Sequence, residues 1–226
     1  MTYASHSFNN ISDDRFSYRF HQSQPRKVNL ALYYETLCPD SQSFILDHLV
    51  RVFDTDLKFI VNLHLVPFGN ARIFPHNKTV NCQHGSLECY YNTIEACALK
   101  VWPLTLNFPF IHCVETRLHQ KDKDTNVWQL CANHLGLNPG SIKKCCTTGL
   151  GNKLILHNAE ETSKLNPPLK YLPWVTVNDE PLFRDYNNVI NYICNAYRGN
   201  PKPSACKTTS SIPQSPSLCD PPNLEK

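Results

Sequence analysis

The chain has 226 residues, is 41% hydrophobic and carries a formal net charge of +3 at pH 7. That length supports one well-buried domain with an insertion or a tail, and is a tight fit for two independent domains. Its 22 basic residues are scattered, with only short clusters such as Lys143-Lys144, so no stripe suits a phosphate backbone and no nucleic-acid partner is expected.

Eleven cysteines are too many for a reducing cytosol in a chain without metal sites, which points to the secretory pathway or a compartment reached from it. The sequons Asn10-Ile11-Ser12 and Asn77-Lys78-Thr79 agree, making Asn10 and Asn77 glycosylation candidates and the chain a candidate glycoprotein. The opening Met1-Thr2-Tyr3-Ala4-Ser5-His6 shows no apolar signal-peptide core, and no apolar run reaches the roughly 18 residues of a membrane span.

Residues 1–26 are polar, show neither helical nor strand period and predict a flexible leader. A main domain follows over 27–198. Val28-Asn29-Leu30-Ala31-Leu32-Tyr33-Tyr34 has the length and composition of a buried central strand, ending at Glu35-Thr36-Leu37-Cys38. Pro39 suits the first turn of a helix, and Ile45, Leu49, Val52 and Phe53 continue at helical spacing. Cys38 therefore sits at a helix start. Leu57, Phe59, Val61, Leu63 and Leu65 then alternate as a strand, and strand, helix, strand implies parallel pairing by a right-handed crossover.

From about 69 to 168 the chain becomes helical in pattern, as over Glu88 to Trp102 and Val127 to Leu135, and cysteine-rich, predicting a helical insertion stapled by disulfides. The sheet resumes at Tyr171 to Val177, turns at Asn178-Asp179 and continues near Pro181-Leu182-Phe183. Val189, Ile190, Ile193, Cys194 and Tyr197 give one face of a last helix. Residues 199–226 form a tail rich in Pro and Ser, disordered or loosely attached by composition, which Cys206 and Cys219 can pin.

A thiol at a helix N-terminus is acidified by the dipole and by unsatisfied backbone donors, while the charge of Asp40 opposes this. The motif reads Cys38-Pro39-Asp40-Ser41, with Ser41 where a dithiol enzyme carries its second cysteine. A hydroxyl does not displace sulfur at useful rates, so a mixed disulfide at Cys38 needs an outside thiol or another cysteine to resolve it. Eleven cysteines pair at most ten, and Cys38 has the setting that best suits the odd thiol, although the odd one can equally lie in the tail. Pro173 stands at a strand start: a cis Leu172-Pro173 bond would face it toward Cys38 as a substrate-binding edge, and a trans bond is the commoner alternative.

Cys82-Gln83-His84-Gly85-Ser86-Leu87-Glu88-Cys89-Tyr90-Tyr91-Asn92-Thr93-Ile94-Glu95-Ala96-Cys97 fits the pattern C-Q-H-G-x-x-E-C-x-x-N-x-x-x-x-C. In this stretch, with Val66 to Ala71, Pro167-Pro168 and Tyr171 to Asn178, the chain resembles the gamma-interferon-inducible lysosomal thiol reductase family over roughly residues 28–206. The resemblance implies an α/β thioredoxin-like fold with a helical insertion, and reduction of protein disulfides outside the cell or in a lysosome-like compartment. By position it makes Cys38 the nucleophile and Pro173 the proline facing it, whereas Ser41 departs from the family's C-x-x-C.

The expected function is thus a thiol–disulfide oxidoreductase acting through one cysteine, with cysteine or glutathione as reductant, no cofactor, and disulfide-containing proteins as substrates of a monomer. Two alternatives stand beside it: a binding or holding module that has lost catalysis, and a structural secreted protein with Cys38 in a native bridge. Cys82, His84, Cys89 and Cys97 are a zinc set by residue type, but lack knuckle spacing and face an oxidising compartment, so no metal is expected.

Overall fold

The computed structural model describes residues 25–121 and 124–207. Asn10 and Cys219 lie outside them.

Strand β1 (Val28–Tyr34) alternates buried and exposed positions at its start and is buried on both faces at its end. From Tyr34 the chain turns through Leu37, whose φ of 68° is left-handed, into Cys38. Helix α1 (Pro39–Ser43) runs through a wider π-type turn, Phe44–Leu49, into α2 (Val50–Asp54). Phe44, Ile45, Leu49 and Val52 are buried, the face expected from their spacing.

Strand β2 (Val61–Pro67) pairs parallel to β1, with Val28 opposite Val61 and Tyr34 opposite Pro67. The predicted strand start at Leu57 is corrected. Asp56–Phe59 form a 3-10 turn whose first free amide, that of Leu57, donates to Thr55 Oγ1, so Leu57 buries as a turn anchor while Phe59 stays 69% exposed. A short hairpin of β3 (Arg72–Ile73) and β4 (Val80–Asn81) follows, too brief for a period-two signal. Its exposed loop carries Asn77, whose Oδ1 accepts from the Thr79 amide.

Five helices make the predicted insertion: α3 (Ser86–Val101), α4 (Leu104–His119), α5 (Val127–His134), α6 (Gly140–Thr147) and α7 (Leu150–Ser163). Disulfides staple it. Cys82–Cys89 ties the approach to α3 onto its first turns, Cys97–Cys145 joins α3 to α6, and Cys113–Cys131 joins α4 to α5.

Strand β5 (Trp174–Val177) returns antiparallel to β1 and turns through Asn178 and Asp179, at φ of 50° and 70°, into β6 (Glu180–Pro181). Asn and Asp tolerate that left-handed backbone better than other side chains, as a two-residue hairpin requires. The extended piece expected at Pro181-Leu182-Phe183 ends at Pro181, and Phe183 opens a 3-10 turn. The sheet order is β2-β1-β5-β6, which puts β1 and the Cys38 turn at its centre. Helix α8 (Val189–Ala196) buries Val189, Ile193 and Cys194. The segment after it is anchored: Cys206 bridges Cys194, and Asp56 accepts from the Ser204 amide at 2.6 Å and its hydroxyl at 2.8 Å.

Helix α7 crosses α3 at Gly151. A Cβ there would lie 2.7 Å from Thr93 Cγ2 and 3.4 Å from Cys97 Sγ. The Thr93 methyl is held stiffly at χ1, so overlap outweighs the gain of about 1 kcal/mol in helix propensity from replacing glycine. Gly151→Ala should destabilise the domain by about 1–2 kcal/mol, read as a lower denaturant midpoint at unchanged slope.

Candidate functional site

Cys38 is the N-cap of α1, fully buried, with extended backbone, and its Sγ accepts from the Ser41 amide at 3.4 Å. Pro39 at the first helical position removes a donor that would have had no partner. The Ser41 side chain is fully buried, and its Oγ has no hydrogen-bond partner among the described residues. Cys38 packs on Leu172, and the Leu172-Pro173 peptide is cis. Pro173 thus follows directly on the residue that covers the sulfur.

The parity expectation for Cys38 is overturned. Cys38 is disulfide-bonded, so its Sγ here is a bridge sulfur occupying the position a thiolate would take once opened. The free thiol among the described residues is Cys146. Spacing cannot choose between the adjacent Cys145 and Cys146; burial does, since Cys145 faces the core and Cys146 is half-buried. The zinc set also dissolves, because Cys82 and Cys89 bond to each other and Cys97 bonds to Cys145.

The signature residues assemble on the exit of β1, just before Cys38. Asn92 Oδ1 accepts from the Thr36 amide at 2.9 Å, and the Glu88 carbonyl accepts from the Thr36 hydroxyl at 3.1 Å. Gly85, at φ of 87°, lets the chain turn into α3. His84 Nδ1 lies 2.6 Å from Glu88 Oε2 and 3.5 Å from Glu35 Oε1. Gln83 Oε1 accepts from Asn70 Nδ2 at 2.7 Å, and the Asn70 amide donates to Glu35 Oε2 at 2.7 Å. A Cβ at Gly69 would stand 2.4 Å from Glu35 Oε2 and 2.7 Å from Leu172 Cδ1, so glycine is what lets β2 leave the sheet against both.

Glu35 escapes a sequence reading because its partners are remote. The available signal is an acidic residue ending an otherwise apolar strand. Burial first, and then the neighbouring Glu88 charge, push its carboxyl up from 4.5 to about 8; burial raises Glu88 as well. One ligand atom from each of Glu35, His84 and Glu88 falls within 4.8 Å of the others, so among the described residues these three form a group that could hold a cation.

A second buried acid network lies behind the helix. The Tyr34 hydroxyl donates to Glu95 Oε2 at 2.5 Å, Gln42 Nε2 donates to Glu115 Oε2 at 3.0 Å, and His119 Nδ1 approaches Gln42 Oε1 at 3.4 Å. Burial raises both carboxyls, that of Glu115 to about 7. Gln42 follows Ser41, so this network braces the first turn after Cys38.

A mixed sheet with a cysteine capping the first helix after its central strand, and a cis proline opening the returning strand, is a thioredoxin-like fold. DsbA from Chlamydia trachomatis superposes with a TM-score of 0.53 at 15% identity, covering 74% of this chain and 87% of that one. MdbA from Actinomyces oris gives 0.56 at 12% identity, covering 76% and 83%. Residues 29–135 match the family model described as gamma interferon inducible lysosomal thiol reductase. The Arabidopsis thaliana gamma-interferon-responsive lysosomal thiol protein is 44% identical over 195 residues, 84% of this chain and 80% of the relative. The mouse gamma-interferon-inducible lysosomal thiol reductase is 37% identical over 189 residues, covering 83% and 75%. The chain belongs to the gamma-interferon-inducible lysosomal thiol reductase family.

A carboxyl that holds its proton more tightly in the folded than in the unfolded chain makes the folded state the better proton binder between its two pKa values. Stability from Glu35 is therefore full below about 4.5 and is lost as pH rises toward about 8. The thermal midpoint should fall between about pH 5 and pH 8, and Glu35→Gln should flatten that slope, measured by circular dichroism across a pH series.

Proposed function

We propose that the chain reduces disulfides of protein substrates through Cys38, with a small external thiol completing each turnover, in an acidic lysosomal or secretory compartment. The observation that carries this is the placement of Cys38 Sγ on the Ser41 amide at the start of a helix, packed on Leu172. That donor and the helix terminus stabilise a thiolate, the form of sulfur that attacks a disulfide.

A small thiol such as cysteine or glutathione first opens the Cys38 bridge. The Cys38 thiolate attacks one sulfur of a substrate disulfide, forming a mixed disulfide and releasing the other substrate sulfur as a thiolate. A small thiol then attacks Cys38 Sγ, freeing the second substrate thiol. A second small thiol attacks the sulfur of the first, so that Cys38 leaves as a thiolate and the two small thiols depart as one small-molecule disulfide. Two external thiols are oxidised for each substrate bridge reduced. The Ser41 hydroxyl cannot resolve the mixed disulfide, and we assign it the role of donating to the thiolate. Pro173 is assigned to the face on which an extended substrate lies. Asn77, exposed in its loop, is assigned as a glycan acceptor.

The assay is reduction of a disulfide protein such as insulin with cysteine as donor. Cys38→Ser should fall to the rate of cysteine alone, and unchanged activity overturns the proposal. Ser41→Cys should raise turnover several-fold and lower the requirement for external thiol.

Burial and bridging of Cys38 favour a second reading, in which that bridge is purely structural. The two separate on alkylation of the native chain. The reductase requires Cys38 to take up label after millimolar cysteine with the fold intact, whereas a structural bridge yields label only on unfolding.

A further inference from the structure

Cys146 touches another sulfur. Its thiol donates to Cys97 Sγ at 3.6 Å, while Cys97 is bridged to Cys145, the residue just before Cys146 on α6. A free thiol in contact with one end of a disulfide, beside the residue that holds the other end, is the reactant arrangement for thiol–disulfide exchange. We propose that Cys97, Cys145 and Cys146 form a second exchange centre, independent of Cys38, in which Cys146 and Cys145 alternate as the partner of Cys97.

The step balances within the chain. Cys146, as thiolate, attacks Cys97 Sγ; the Cys146–Cys97 bond forms, the Cys97–Cys145 bond breaks, and Cys145 leaves as a thiolate that takes up the proton Cys146 gave up. Thiol and disulfide numbers are unchanged, and no outside oxidant or reductant enters.

The surroundings make the two forms differ. Cys145 is 2% exposed, whereas Cys146 lines a cavity of about 310 Å³ together with Cys82, Cys89, Asn92 and Thr93. With Cys97 bonded to Cys145, the thiol faces that cavity and its Cys82–Cys89 bridge. With Cys97 bonded to Cys146, the thiol belongs to Cys145 on the core side of α6. Exchange thus decides whether the cavity presents a thiol. Helix α6 spans eight residues and is followed by the left-handed Gly149, so a short element carries the rotation the swap requires. Burial pushes the Cys146 thiol up, which keeps its thiolate scarce and lets the free thiol persist.

The test uses the full chain without reductant, in which Cys38 stays bridged, so that failure here and failure of the reductase proposal are distinguishable. Samples held in neutral or mildly alkaline buffer are acid-quenched, alkylated and digested with trypsin. Cleavage after Lys144 and Lys153 leaves both cysteines in one peptide, whose fragment ions assign the label. Label on Cys146 with a share on Cys145 that grows with incubation is the expected result; label confined to Cys146 under both conditions overturns the proposal. Cys145→Ser gives a second reading by thiol titration in denaturant. If Cys146 takes over the bridge, this variant carries one thiol fewer than its parent; if the bridge is simply lost, it carries one more, which also overturns the proposal. Should Cys145→Ser fail to fold, the labelling of the parent decides.

Discussion

A carboxyl group at the buried end of a central strand must find a proton or a partner, because an isolated charge there is prohibitively costly. Glu35 is that group, and what it finds is Glu88 and His84 of the signature segment, with Asn70 braced by Gln83 of the same segment. The next residue, Thr36, is held at amide and hydroxyl by the same helix. Two residues later the chain reaches Cys38. The helical half of the molecule therefore fixes where the sheet half places its sulfur, and the signature cysteines contribute by holding α3 in place.

The first turn after Cys38 is gripped from the other side. Gln42 reaches Glu115 on α4, and Glu115 lies beside Glu95 on α3, which accepts from Tyr34 on β1. Cys38 thus stands between two acid clusters, one at the strand exit and one beneath the helix entry. Each includes one acid of α3, Glu88 in the first and Glu95 in the second, so displacement of that helix loosens the site at both ends. The tight crossing at Gly151 and the bridge at Cys97 oppose such displacement.

The parts of this arrangement visible in the sequence are those with a local cause. The β1 run, the proline at the first turn, the Asn178-Asp179 hairpin and the periodic faces of α3 and α8 follow from neighbours a few positions apart. Phe59 misled the strand boundary because a single alternating residue fits a turn as well as a strand. Glu35 could not be read because Asn70, His84 and Glu88 meet it only through tertiary structure, and the motif marked its own residues without naming the strand they dock on. The odd cysteine lies elsewhere for the same reason: helix-start chemistry favours Cys38, whereas the outcome is set by which of two adjacent sulfurs on α6 faces the core.

The buried carboxyls of Glu35, Glu88, Glu95 and Glu115 are all held toward their neutral forms. Acid unfolds most proteins because their native carboxylates are paired as ions and must be neutralised. These four run the other way, and folding draws protons out of the solvent. For these four groups, a fall from neutral to mildly acidic pH adds to the fold's hold on its own core.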